Sequence, residues 1–149
     1  MIPLIILLLL SSVQTWDNVY FITFIACRHQ EKSEYTYSVR FYEDDFGGDS
    51  FDDAITDWSW TEVIYRDGKW TNRTNSGRLD GDGPGSQYEI YMEIDHDCNR
   101  WGRTTRTRLY LTGGHCVEGG GDCRLYIPID VTDLNTEKEI KVAVKQNQR

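Results

Sequence analysis

The fold is decided by residues 35–42, which read Tyr-Thr-Tyr-Ser-Val-Arg-Phe-Tyr. Positions 35, 37, 39 and 41 carry Tyr, Tyr, Val and Phe, whereas the positions between them are mostly polar. A period of two is that of a β-strand, because successive side chains point to opposite faces of a sheet. The stretch therefore predicts a strand with one face in the core and the other in water.

The same alternation recurs along the chain and predicts several more strands. It is found at residues 88–95, 106–111 and 140–144, and two brief apolar runs lie at 19–26 and 123–131. Gly, Asp and Asn separate these segments, as is typical of β-sandwiches and barrels. We therefore expect an all-β chain that forms a two-sheet antiparallel β-sandwich, immunoglobulin-like in outline, with about seven or eight strands.

A β-hairpin is predicted in the middle of the chain. Residues 58–66 and 69–73 are separated by Asp67-Gly68, a dipeptide that favours a tight turn between paired strands. Trp58 and Trp60 fall on the same face of the first of these strands, and we expect them to fill the core between the sheets. The alternative is a platform on which a carbohydrate stacks.

The N-terminal residues predict export from the cell. Residues 4–10 are apolar and uncharged, but they are too few to cross a bilayer, which takes about 20 residues. A short apolar run followed by small polar residues is typical of a secretory signal peptide. We assign residues 1–15 to that signal and residues 16–149 to a single domain, and we expect a secreted, extracellular protein without a transmembrane segment.

The formal net charge of −8 argues against one class of partner. Broad nucleic-acid binding depends on Lys and Arg side chains that neutralise phosphates, and this chain has an excess of carboxylates instead. We therefore expect no nucleic-acid ligand.

Four cysteines predict two disulfides, because an even count in an exported domain implies a disulfide framework. Three pairings of Cys27, Cys98, Cys116 and Cys123 are possible. Cys116 and Cys123 flank a glycine-rich stretch that can close locally, which would leave Cys27 to meet Cys98. The bridge that closes the longer loop would stabilise the fold more, since it restricts the unfolded chain more.

The triplet Asn72-Arg73-Thr74 is an N-glycosylation sequon. The modification takes place on exported chains, and it places the acceptor on the surface of the fold. We therefore expect a glycoprotein with its glycan on Asn72.

Residues 43–57 are strongly acidic and contain no Lys or Arg. Carboxylates on a loop at the end of a sandwich are able to hold Ca²⁺, which prefers oxygen ligands. The candidate ligands are Asp44, Asp45, Asp52 and Asp53. The simpler interpretation is a solvated acidic loop that holds no ion.

A small basic patch is predicted on or beside one strand. It consists of Arg100, Arg103, Arg106 and Arg108. Such a patch suits a sulfated glycan, an anionic lipid headgroup or an acidic protein partner. The alternative is the solvated face of a sheet whose charge balances the acidic loop.

The sequence offers no motif that predicts catalysis. His96 and His115 lie beside cysteines, but the spacing is not that of a zinc site and oxidised cysteines do not bind the metal. Asp95 and Asp97 would be the carboxylate pair of an extracellular hydrolase, a third hypothesis that requires both groups in one cleft. We expect a non-catalytic protein that needs no cofactor, calcium apart.

Four segments, taken in order, resemble the transthyretin-like family of secreted nematode proteins. A strand ends in an acidic pair at residues 39–45, and Asp52-Asp53-Ala54 and Thr56-Asp57 follow it. The most specific match lies at residues 94–99, where Ile-Asp-His-Asp-Cys-Asn is similar to the family's strand that ends in His-Asp-Cys-Asn.

The resemblance implies a transthyretin-like two-sheet sandwich and an extracellular binding or signalling role. On this basis the expected function is that of a secreted binding protein, which engages a protein, lipid or glycan partner through its loops and sheet surface. Residues 39–55 also resemble the calcium loop of synaptotagmin- and perforin-type domains. Calcium-dependent phospholipid binding by this acidic loop is therefore the alternative function.

Overall fold

The structure is a computed structural model, and it describes residues 17–29, 34–44, 52–64, 70–79 and 86–147. The predicted signal peptide, residues 1–15, lies outside this part of the chain. The described residues contain no helix long and apolar enough to cross a membrane. Their strands are β1 Asp17–Ala26, β2 Glu34–Glu43, β3 Asp53–Ala54, β4 Ser59–Ile64, β5 Thr71–Leu79, β6 Ile90–His96, β7 Thr105–Thr112, β8 Cys123–Asp130, β9 Lys138–Lys141 and β10 Ala143–Gln146.

The strands form two sheets, which confirms the predicted all-β sandwich. The first sheet has the order β10-β8-β1-β5, and the second has the order β3-β2-β6-β7-β9 with β4 also paired to β2. β3 and β4 share one edge of β2 and pair with its C-terminal and N-terminal halves. The inner faces of the two sheets contribute to one shared hydrophobic core.

The expectation of wholly antiparallel sheets needs a correction. β1 runs parallel to β8, and β7 runs parallel to β9. A parallel pair needs a long crossover, and both pairs have one. Strands β2 to β7 lie between β1 and β8 in the chain, and β8, which belongs to the opposite sheet, lies between β7 and β9. Side-chain alternation does not distinguish the two directions, since its period is two in both.

The core holds the residues that the alternation assigned to it. Phe21 of β1 and Phe41 of β2 stack across the two sheets with their ring centroids 3.8 Å apart. The predicted inner positions of residues 35–41, 88–94 and 107–111 are all buried: Tyr35, Tyr37, Val39, Phe41, Tyr88, Ile90, Met92, Ile94, Thr107, Leu109 and Leu111. Burying a large apolar side chain contributes roughly 1.5–3 kcal/mol, so this interface supplies most of the drive to fold.

Both disulfides are present, and the pairing is the one that the spacing favoured. Cys27 is bonded to Cys98, and Cys116 is bonded to Cys123. Cys27 directly follows β1 and Cys98 lies two residues after β6, so the first bond joins the two sheets at one end of the sandwich. The second bond closes the short loop that precedes β8.

The predicted hairpin is wrong. β4 pairs with β2 in one sheet, whereas β5 pairs with β1 in the other. A turn dipeptide predicts that the chain reverses, but it does not predict which sheet the next strand joins. Here β5 pairs along most of the length of β1. The Asp67-Gly68 turn itself lies outside the described residues.

The last predicted strand is divided between the sheets. β9 belongs to the six-stranded sheet and β10 to the four-stranded sheet. Ile140 and Val142 are buried and Val144 packs against the same core. Because both strands face one core, the alternation continues through the crossing, which makes the two strands look like one in the sequence. This division and the two-residue β3 raise the number of strands above the predicted range.

Candidate functional site

A cleft opens at the end of the sandwich that carries the Cys27–Cys98 bond. We call it the end cleft, and its volume is about 320 Å³, near the lower limit of small-ligand sites. One wall is the loop between β6 and β7 and the other is the loop between β8 and β9. The lining residues are Asn99, Trp101, Arg103, Thr105, Asp133, Leu134 and Asn135.

The first wall is shaped by the buried side chain of Asn99. Its Oδ1 accepts the backbone N–H groups of Trp101 (3.1 Å) and Arg103 (3.3 Å), and its Nδ2 donates to the Arg103 carbonyl at 2.7 Å. Gly102 lies between them with a φ of 63°, a conformation that glycine adopts without strain. This turn projects Trp101 outward, where its side chain is 71% exposed.

The second wall is attached to the first by hydrogen bonds. The N–H of Asp133 donates to the carbonyl of Cys98 at 3.0 Å, and Nε2 of the buried His96 donates to the carbonyl of Leu134 at 2.8 Å. Asp133 has a φ of 52°, in the left-handed region that Asp tolerates better than most residues. The two walls are therefore held at a fixed separation by the strand end that carries the disulfide.

The charges around the end cleft are partly paired. His29 Nε2 lies 3.0 Å from Oδ1 of Asp133, and the hydrogen bond with His29 lowers the pKa of Asp133 below its ordinary value of 3.8. Arg28 forms an ion pair with Asp130 at 2.8 Å. The guanidinium of Arg100 lies 5.5 Å from the centroid of the Trp101 ring, a cation–π contact that leaves the opposite ring face for a ligand.

The structure divides the predicted arginine patch into two parts. Arg100 and Arg103 are exposed beside the end cleft. Arg106 instead donates two hydrogen bonds to the neighbouring Asp95 at 2.7 and 2.8 Å, and Arg108 donates to Glu93 at 3.2 Å. The four side chains therefore do not form one uncompensated basic surface.

Asp95 and Asp97, the carboxylate pair of the hydrolase hypothesis, both accept hydrogen bonds from other parts of the fold. Asp95 is buried and accepts the two hydrogen bonds of Arg106. Asp97 Oδ1 accepts the backbone N–H of Thr36 at 2.8 Å, which ties β2 to the end of β6. Neither carboxylate lines the end cleft.

The outer face of the six-stranded sheet carries a row of aromatic side chains. Tyr42 and Tyr91 stack with centroids 4.9 Å apart, and Tyr110 continues the row. Trp58 joins this face, with the Arg106 guanidinium 4.6 Å from its ring centroid. The expectation that Trp58 fills the core is therefore wrong, because it precedes β4 and packs under an arginine of β7; the side chain of Trp60 lies outside the described part of the structure.

Three of the predicted calcium ligands lie at the end of the β2–β3 pair, where Asp53 is opposite Glu43, the residue before Asp44. Asp44 and Asp53 are exposed, whereas Asp52 accepts a hydrogen bond from the Tyr91 hydroxyl at 2.7 Å. Burial, and then this hydrogen bond, raise the pKa of Tyr91. Asp45 lies outside the described residues, and the described residues contain no group of three or more metal-ligating side chains.

The sequon lies on the surface. Asn72 and Thr74 are both exposed on β5, which is at the edge of the four-stranded sheet. The segment is therefore accessible, as the sequon requires.

Sequence reasoning missed most of the end cleft. Asn99 was part of the strand end that resembles the transthyretin-like family, but Trp101, Asp133 and Asn135 were not among the candidates. A tryptophan followed by glycine in a short loop between strands was the available signal, because such a loop has little room to bury an indole. Comparison of the chain with protein-family models, with curated proteins and with solved structures finds no match.

Proposed function

We propose that the protein is a secreted, non-catalytic binding protein of the transthyretin-like type, and that its end cleft receives a sugar ring of an extracellular glycan. The observation that carries the proposal is the 71% exposed indole of Trp101 at the edge of a cleft of about 320 Å³. An apolar ring face beside a few fixed polar groups is the composition of a small-ligand site.

The chemistry of the lining favours a sugar. Arg103 supplies donors, Asp133 supplies acceptors, and the amide of Asn135 supplies both. Sugar hydroxyl groups that donate and those that accept hydrogen bonds therefore both find partners. A hexose presents apolar C–H groups on one face, which suit the open face of an indole. Loops that are fixed by Asn99 and by the disulfide lose little conformational entropy when they bind.

The same lining disfavours the other partner classes. An acyl chain requires a long enclosed tunnel, whereas the end cleft lies between two loops and has a volume of about 320 Å³. A flat protein interface buries about 800 Å² on each partner, and of the large apolar side chains described only Trp70 and Trp101 are exposed. Glycoside hydrolysis takes two carboxyl groups, whereas Asp133 is the single carboxylate among the described lining residues.

Three observations support export and the transthyretin-like assignment. Two disulfides are typical of oxidising compartments, and residues 1–15 read as a signal peptide. The stretch of closest resemblance to the transthyretin-like family, residues 94–99, ends at the end cleft and contributes Asn99 to its lining.

A glycan array tests the proposed ligand class. Wild-type protein should bind a defined set of glycans, and Trp101→Ala should lose that binding by tenfold or more. Trp70→Ala, which alters the second tryptophan that is exposed among the described side chains, should keep it. Absence of binding to any glycan overturns the ligand class, and equal binding by Trp101→Ala overturns the site. Liposomes and a calcium titration are run beside the array, and calcium-dependent sedimentation with lipid would favour the acidic loop instead.

A further inference from the structure

The outer face of the four-stranded sheet carries an apolar strip that is partly exposed to solvent. Phe24 and Ile22 of β1 are half-buried there, next to the half-buried Tyr126 and the exposed Pro128 of β8. We call these four residues the outer strip. Adjacent apolar side chains on a solvated sheet face mark a contact surface, because isolated domains tend to cover such patches.

The strand register places the sequon beside this strip. Asn72 of β5 is directly opposite Phe24, and Thr74 is directly opposite Ile22. On the other side of β1, Phe24 pairs with Pro128 and Ile22 pairs with Tyr126. Residues directly opposite each other share one face of a sheet, with Cβ atoms about 5 Å apart. Two cross-strand rows therefore begin with the two functional residues of the sequon and continue into the outer strip.

We propose that an N-linked glycan on Asn72 covers the outer strip, and that its first N-acetylglucosamine packs on the ring of Phe24. The sugar is joined to the side-chain nitrogen of Asn72, so its ring is held within one cross-strand spacing of the aromatic face. Pyranose C–H groups on an aromatic ring remove apolar surface from water. The next sugars extend over Ile22 and Tyr126.

The position of β5 gives the glycan a second effect. β5 is the edge strand of its sheet among the described residues, and its residues 71–78 carry no large apolar side chain. An open edge is a template for pairing with another chain, and natural proteins block such edges. A bulky glycan on the second residue of β5 hinders that pairing. No other asparagine of the sequence lies in a sequon, so this protection depends on Asn72 alone.

The role of the glycan is tested independently of whether residues 1–15 direct export. The protein is produced in a eukaryotic host behind a heterologous signal peptide, so failure of residues 1–15 to direct export would leave this test intact. Peptide mapping should find Asn72 occupied. Thr74→Ser, which keeps the sequon, should remain glycosylated, whereas Thr74→Val, which removes it, should not.

Thermal unfolding then tests the contact with Phe24. Loss of the glycan in Thr74→Val should lower the Tm by about 3 to 5 °C and increase the fluorescence of an apolar dye. Trimming to one N-acetylglucosamine with endoglycosidase H should keep most of the stabilisation, because that sugar makes the contact with Phe24. In a Phe24→Thr background the Tm difference between Thr74→Ser and Thr74→Val should vanish, whereas in a Tyr20→Thr background, two rows away, it should persist.

Three results would overturn the proposal. An unoccupied Asn72 in exported protein removes the modification. An unchanged Tm in Thr74→Val removes the stabilising contact, and a glycan effect of full size in the Phe24→Thr background shows that the sugar acts elsewhere.

Discussion

Cys27 is bonded to Cys98 across the two sheets, and the carbonyl of Cys98 accepts the N–H of Asp133. The same residue thus joins the sheets and sets the distance between the two walls of the end cleft. Asn99, which shapes the loop that carries Trp101, is the next residue in the chain. The disulfide therefore helps to position the end cleft as well as to hold the sheets together.

Removal of the two disulfides should have unequal effects. The Cys27–Cys98 bond spans 71 residues and the Cys116–Cys123 bond spans 7. The loss of chain entropy in the unfolded state predicts stabilisation of about 4 kcal/mol for the first and about 2 kcal/mol for the second. Paired Cys→Ser variants compared by urea unfolding measure the difference. A larger loss of stability from removing the Cys116–Cys123 bond than from removing the Cys27–Cys98 bond would contradict the prediction.

Replacement of Asn99 by Ala should loosen the Trp101 loop. The N–H groups of Trp101 and Arg103 lose their acceptor, and a hydrogen bond of this kind contributes about 0.5–1.5 kcal/mol. Hydrogen exchange of residues 99–105 should accelerate while that of β8 stays slow, and glycan binding should weaken. Thr104→Ala, at an exposed position of the same loop, is the control and should change neither.

The His29–Asp133 pair should make stability depend on acid pH. The pKa of Asp133 is lowered in the folded protein, so the pair stabilises the fold above the ordinary value of 3.8 and the contribution disappears as the pH falls through the folded pKa. Asp133→Asn, which keeps the left-handed backbone favourable, should therefore be less stable than wild type at about pH 5, and the difference should shrink as the pH is lowered toward about 2. Chemical unfolding at both pH values measures this. A constant difference would contradict it, as would an additional loss in the His29→Gln, Asp133→Asn double variant.

Gly77→Ala should destabilise the contact between β5 and the segment before β4. A Cβ at position 77 would lie 2.5 Å from the carbonyl oxygen of Ile55 and 2.6 Å from its Cγ2. Overpacking of this kind costs about 1–3 kcal/mol, which exceeds the gain of up to about 1 kcal/mol from stiffening the unfolded chain. Ser76→Ala, at the exposed neighbouring position, should be near neutral, and a stabilised Gly77→Ala would show that β5 is able to move away.

The core and the disulfides follow from the sequence for physical reasons. A strand with one buried face must alternate, so residues 35–41 and 88–94 revealed their inner faces directly. Cys116 and Cys123 are close enough in sequence to pair locally, which favoured the observed pairing among the three that were possible. The alternation of side chains does not indicate the direction of a strand or the sheet to which it belongs. The period of two is the same for the parallel β1–β8 pair, and it continued across the passage from β9 to β10 between sheets.

The end cleft was less predictable because it depends on tertiary placement. Asn99 belonged to a recognisable strand end, but its role as an acceptor for two N–H groups arises from the loop conformation. Trp58 and Trp101 differ in environment although each follows a charged residue and each contacts an arginine. Trp58 is half-buried on the outer face of the six-stranded sheet, whereas Trp101 is 71% exposed. Composition alone does not distinguish an aromatic side chain that packs from one that projects.

The most direct test of the end cleft as a glycan site is the indole N–H resonance of Trp101 during titration with the strongest glycan from the array. With ¹⁵N-labelled protein, the Trp101 signal should shift progressively and saturate, together with the backbone signals of Arg103 and Asn135, while the Trp70 indole stays in place. Saturable binding that leaves the Trp101 signal unmoved would contradict the assignment.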